Sequence, residues 1–110
     1  MTRAEILAAL AKLPGQIERA ELALLACRRE AERYEAEWKD AEATLLLDGT
    51  IDGKNAEARA AQLRLAMASY RETAADLEQK AERARIRLHR LQSEFTAAKA
   101  MARLLAVATD

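Results

Sequence analysis

Two apolar series in this chain advance by alternating steps of four and three residues and never slip, and that spacing leaves few folds open. The first is Ile6, Leu10, Leu13, Ile17, Ala20, Leu24, Cys27, Ala31, Tyr34, Trp38, Ala41 and Leu45. The second is Ala60, Leu63, Met67, Tyr70, Ala74, Leu77, Ala81, Ala84, Leu88, Leu91, Phe95, Ala98, Ala102 and Leu105. A repeat averaging 3.5 residues is that of a helix winding left-handedly about a partner, because the stripe stays on one side only if the helices supercoil. Composition agrees: three Gly, one Pro and 27 Ala in 110 residues, with 33% charged, belong to long helices and not to a sheet. The Ala residues on both seams let the helices approach closely, with large side chains facing small ones.

Local signals mark the ends. Thr2-Arg3-Ala4-Glu5 is a capping box, so helix is expected from the start. Pro14-Gly15 interrupts it, either as a kink within one helix or as a break with Pro14 opening a second. The seam passes through Pro14 in phase, which argues against a large change of direction. Asp48-Gly49 and Asp52-Gly53 punctuate a loop. Asn55 can cap a last helix that meets no Gly or Pro before Val107. A helix of that length spans roughly 80 Å, too long for a compact globule of this size. The expected organisation is one domain over 1–110, with arms 2–47 and 55–107 joined by a loop at 48–54.

Flanking charges indicate direction. One place after alternate seam residues stand Glu21, Arg28, Glu35 and Glu42 on the first arm, and Arg64, Arg71, Glu78 and Arg85 on the second. Folding the chain back at the loop pairs Glu42 with Arg64, Glu35 with Arg71, Arg28 with Glu78 and Glu21 with Arg85, all of opposite sign. Exposed pairs contribute only a few tenths of a kcal/mol, so such a ladder would set register more than stability. The predicted fold is therefore all-α, a long antiparallel helical hairpin. Its core layers stay open, with Trp38 opposite either Leu63 or Tyr70.

A two-helix hairpin has little interior, yet apolar residues lie off the seam. Leu22 and Leu25 are on the outer face of the first arm, Leu65, Ile86 and Val107 share an outer position on the second, and Leu46 and Leu47 crowd the loop end. A repeated outer stripe on so small a scaffold points to a second hairpin packing there. Leu22, Leu25 and Ile86 are expected to form one patch at matching heights. With Leu65 they make the expected interface of a homo-oligomer, most simply a dimeric four-helix assembly, or of a protein partner.

Chemistry finds little footing. Cys27 is the only cysteine and His89 the only histidine, and the hairpin separates them by at least ~12 Å, so they form no dyad. One cysteine excludes an internal disulfide framework and suits a reducing cytoplasm. The first residues lack a signal-peptide layout, and no uncharged run approaches the ~18 residues of a membrane span. The loop starting at Asp48 imitates a calcium loop until its twelfth position, where Arg59 replaces the bidentate Glu. As a phosphate loop it is one residue short, and Asn55 replaces the Ser or Thr. No catalytic, metal or cofactor residue is assigned. Net charge is zero, but Lys80, Arg83, Arg87 and Arg90 recur along one face of the second arm. Such a row can track a nucleic-acid backbone, although it lacks interleaved aromatics and Glu18 and Glu21 are expected nearby.

The segment Gly49-Thr50-Ile51-Asp52-Gly53-Lys54-Asn55-Ala56-Glu57-Ala58-Arg59 resembles the turn of small helical proteins of phages and prophages. There a motif close to G-x-I-x-G-K-N-A-E-E-R joins two long charged helices. Ala58 stands where that pattern has its second Glu. The resemblance implies a phage-related accessory protein and supplies no catalytic residue. Together these features predict a non-enzymatic coiled-coil protein that self-associates and binds another protein. The alternative is an accessory factor for phage DNA processing that contacts nucleic acid through the basic face.

Overall fold

The computed structural model describes residues 1–109, and all of its regular structure is helical: α1 Arg3–Leu47, α2 Ala56–Ala66 and α3 Ala68–Thr109. The start of α1 is capped as its sequence requires. The Glu5 amide donates to Thr2 Oγ1 at 3.1 Å, and that hydroxyl donates to Glu5 Oε1 at 3.1 Å. Helix then continues through Pro14 to Leu47, so Pro14 does not begin a separate helix. Pro14 is exposed and lies off the seam, where its ring displaces no core side chain. Its missing N–H still removes the bond that would reach the Leu10 carbonyl.

The second arm departs from expectation. In place of one uninterrupted helix there is a junction at Met67, whose φ of −98° and ψ of 6° leave the α-helical region. The Met67 amide donates to the Leu63 carbonyl at 2.9 Å and the Arg71 amide to the Met67 carbonyl at 3.0 Å, so four-residue bonding resumes on either side. Met67 is also the most deeply buried side chain, 1% exposed. Ala66-Met67-Ala68 contains no helix breaker; packing around a fully enclosed side chain overrides local propensity there.

The described chain divides into two compact units. The first combines Met1–Ala26 with the chain from Glu82 onward, and the second is Cys27–Ala81. In the first, Ile6 and Leu7 meet Ala102 and Leu105 around a small cavity, while Leu13 and Gln16 face Ala98 and Glu94 across a groove, so the two segments run antiparallel. Its buried residues are Ile6, Leu13, Ala20, Leu24 and Ala98. The second unit is a helix–loop–helix. The Tyr34 and Tyr70 rings meet at 6.1 Å between centroids, and Lys80 Nζ reaches Glu30 Oε2 at 3.2 Å.

Burial follows the two seams closely. Every residue of the first series is buried or half-buried, and so is every residue of the second except Ala60. Off the seams, all residues from 18 to 40 and from 64 to 104 are exposed. The core is thus one stripe wide on each helix. Register within the second unit follows from the Glu30–Lys80 pair, since each residue directly precedes a seam residue. That pair sets Trp38 level with Tyr70; with Leu63 opposite Trp38, Lys80 would slide by about 10 Å. A cavity bounded by Trp38, Ala31 and Ala74 agrees. The Trp38 indole N–H is buried, with no hydrogen-bond acceptor among the described residues.

The charge ladder does not form. Glu35 pairs with Lys39 at 3.1 Å and Arg85 with Glu82, both within a helix, and none of the four expected cross-helix pairs is in contact among the described residues. An exposed carboxylate gains as much from a cation one turn away as from one across the seam, and the local partner restricts less side-chain freedom. Arg85's hydrogen bond holds Glu82 below its ordinary carboxyl pKa.

Two outcomes follow from this fold. Gly15→Ala should stabilise by about 1 kcal/mol, and Pro14→Ala by about as much or more, because both remove a helix-interior penalty. The space is open, since a Cβ at Gly15 would meet only the Arg19 guanidinium at 3.6 Å. Thermal melts followed by circular dichroism read both. A double-mutant cycle on Glu30 and Lys80 should give a coupling of about 0.2–1 kcal/mol. The same cycle on Glu35 and Arg71 should give none, and a larger coupling there would restore the ladder.

Candidate interaction surfaces

The loop is built as a clamp. Asp48 Oδ1 accepts both the amide and the hydroxyl of Thr50, and these bonds hold its carboxyl below the ordinary pKa. Gly49 takes a φ of +81°, the left-handed turn that glycine allows at no steric cost. Asn55 caps α2, its side chain accepting from the Ala58 amide at 2.8 Å. Gln62 does most to close the loop. Its Oε1 accepts from the Gly53 amide at 2.7 Å and its Nε2 donates to Asp52 Oδ1 at 2.8 Å. The Arg59 guanidinium donates to the Gly53 carbonyl at 3.1 Å. The carboxylates that imitate cation ligands are therefore occupied by the chain itself, and Arg59 lies against the loop as a strut. Nothing in the heptad pattern singled out Gln62; its only signal is a neutral polar side chain beside the seam, about two turns into a capped helix.

Other candidates disperse. Cys27 is half-buried on the seam of the second unit, and His89 is exposed in the first. Among the described residues no group of three His, Cys, Asp or Glu could hold a metal ion, and no helix is long and apolar enough to cross a membrane.

The outer apolar residues are exposed: Leu22 59%, Leu25 44% and Ile86 52% in the first unit, and Leu65 80% in the second. They do not make one patch. Leu22 and Ile86 each follow a seam residue by two, a position about 170° from the seam on its own helix. In an antiparallel pair these positions point away from each other, so one flat partner cannot cover both. Leu22 and Leu25 remain neighbours on the outer side of α1. Matching height along the axis, which the sequence does show, is not matching direction around it.

The basic row also divides. Lys80 is engaged by Glu30 in the second unit. In the first, Arg83, Arg87 and Arg90 are exposed and have no ion-pair partner among the described residues. The expected neutralisation by Glu18 and Glu21 fails because both lie on the other flank of the α1 seam. The α1 residues on the same flank as the arginines are Arg19, Ala23 and Ala26.

The loop clamp has a direct consequence. A Cβ on Gly53 would fall 2.8 Å from the Arg59 backbone nitrogen and 2.9 Å from Ala58. Gly53→Ala should therefore destabilise by about 1–3 kcal/mol through backbone displacement, whereas Lys54→Ala beside it should change little. Urea titration distinguishes them, and equal midpoints for the two variants would mean the loop is not clamped.

No family model, characterised protein or solved structure matches this chain at a significant level.

Proposed function

We propose that this protein is a non-enzymatic coiled-coil interaction module that self-associates and binds another protein. The observation that carries the reading is the width of the core. One stripe per helix is covered, while Leu22, Leu25, Ile86 and Leu65 stay 44–80% exposed on a chain able to hide them nowhere else. Covering Leu22 and Leu25 would contribute roughly 1.5–3 kcal/mol each before association costs. The simplest assembly sets the outer face of α1 against a second copy, giving a four-helix dimer. A phage-related role in the cytoplasm accords with the turn motif and with the single free thiol.

The runner-up is nucleic-acid contact through the basic face, and Arg83, Arg87 and Arg90, without an ion-pair partner among the described residues, favour it. Lys80 is no longer available to that row without giving up Glu30.

Sedimentation equilibrium tests the first reading. The wild type should associate at micromolar concentration, and Leu22→Glu with Leu25→Glu should give a helical monomer. A wild type that stays monomeric at several hundred micromolar would reject self-association. Gel shifts of duplex DNA that weaken steeply as salt rises would promote the runner-up.

A further inference from the structure

One flank of the first unit carries a second regular pattern, separate from the seam. On α1 it reads Glu5, Ala9, Lys12, Gln16, Arg19, Ala23 and Ala26; on α3 it reads Arg83, Arg87, Arg90, Glu94, Ala97, Met101 and Leu104. Steps of four and three keep both rows on the same flank of the helix pair. The structure shows them converging at one end, where Glu5, Ala9, Lys12, Gln16, Glu94, Ala97 and Met101 all border one shallow groove of about 420 Å³. Met1, Ala8, Leu13 and Ala98 complete its apolar lining.

In a two-helix coiled coil, residues flanking the seam are ordinarily charged and shield it. Here Ala9, Ala97 and Met101 leave the flank low and apolar, with Met101 39% and Leu104 71% exposed. Toward the other end the same rows become basic, Arg90, Arg87 and Arg83 lying about 6, 10 and 17 Å along α3 from Glu94. The strip holds five cations, Lys12, Arg19, Arg83, Arg87 and Arg90, against two carboxylates, Glu5 and Glu94. Glu5 is already bonded to the Thr2 hydroxyl.

We infer that this flank docks an acidic amphipathic helix of another protein, laid along the pair as a third strand. Its apolar side chains enter the groove beside Met101, and its carboxylates meet the arginines. The inference rests on the interaction-module reading above and adds the face and the chemistry of the partner. Charge complementarity selects the occupant. A second copy docked through the same strip would bring two carboxylates to five cations and leave most of them unanswered. A nucleic-acid strand would satisfy the arginines but would make no use of an Ala- and Met-lined groove, and no aromatic side chain stands on the strip to stack a base. An acidic helix uses both ends. The stretch from Arg83 to Leu104 matches about six turns of partner helix.

The test is a selection on the full-length protein. The probe is a displayed library of 21-residue helices with apolar residues at seam positions and Glu, Lys or Ala allowed elsewhere. Recovered binders should be enriched in Glu over Lys at the flanking positions. Their affinity should fall at least tenfold with the triple variant Arg83→Glu, Arg87→Glu, Arg90→Glu, and again with Met101→Glu, while helical circular dichroism is retained. Leu22→Glu with Leu25→Glu should leave this binding intact, which separates failure here from failure of self-association. Recovery of no binder, enrichment of Lys, or affinity indifferent to both the arginine and Met101 variants would overturn the inference. So would tighter binding of a labelled 20-nucleotide DNA than of any helix, or loss of wild-type self-association in the Met101 variant, which would assign the strip to a second copy.

Discussion

Burial of a single stripe of side chains on each helix is the constraint from which the rest follows. With every off-seam residue from 18 to 40 and from 64 to 104 exposed, there is no second layer to compensate for an error in the first. Alternation of four and three must therefore hold without exception, and it does, through Pro14 and through the junction at Met67. Proline is accommodated because it falls on the exposed side, where the helix loses one hydrogen bond and no packing. At Met67 the balance reverses: the side chain is enclosed and the backbone yields. Both features show side-chain packing along the seam outweighing backbone regularity, as expected when most helical stability is tertiary.

A narrow core also explains the elaborate turn. Two helices joined by a floppy loop could slide by a heptad while keeping apolar residues in contact, since each seam looks similar to itself seven residues on. Gln62, Arg59 and Asn55 oppose that sliding by tying the loop backbone to the first turns of α2. Gly53 lets the loop approach α2 more closely than any side chain would permit. The Glu30–Lys80 contact fixes the same register farther from the turn, and the Tyr34 and Tyr70 rings pack beside it. Register here is set by a few polar contacts and the surroundings of Trp38, while the seam supplies the stabilising area.

Exposed charges behave as a solvated surface. Glu35 and Arg85 settle on neighbours in their own helices, and the sign pattern that ordered them across the pair is not used for contact. What the charges distinguish is one flank from the other. Glu18 and Glu21 fall on one side of the first unit and Arg19, Arg83, Arg87 and Arg90 on the opposite side, so a chain with no net charge presents a locally basic strip. Because that strip continues into an apolar groove, it joins a charged end to an apolar one, the two kinds of contact that the proposed acidic helix would use.

Helical class, the two seams, the cap at Thr2, the cap at Asn55 and the turn at Gly49 could all be read from the sequence, because each depends on residues within about one helical turn of one another. Antiparallel sense was legible too, from a charge pattern whose contacts do not form. The core register was not: heptads repeat, and only the contacts of Lys80 with Glu30 and of Trp38 with its neighbours exclude a shift of seven. The Met67 junction left no local trace, since it arises from packing. Gln62 looked like any neutral surface residue until the loop folded onto it. Direction around the axis separated Leu22 from Ile86 and Glu18 and Glu21 from the arginines, whereas spacing along the chain had placed them side by side. A linear sequence records height along a helix directly, but which residues share a flank depends on how two helices face each other, and that is a property of the pair.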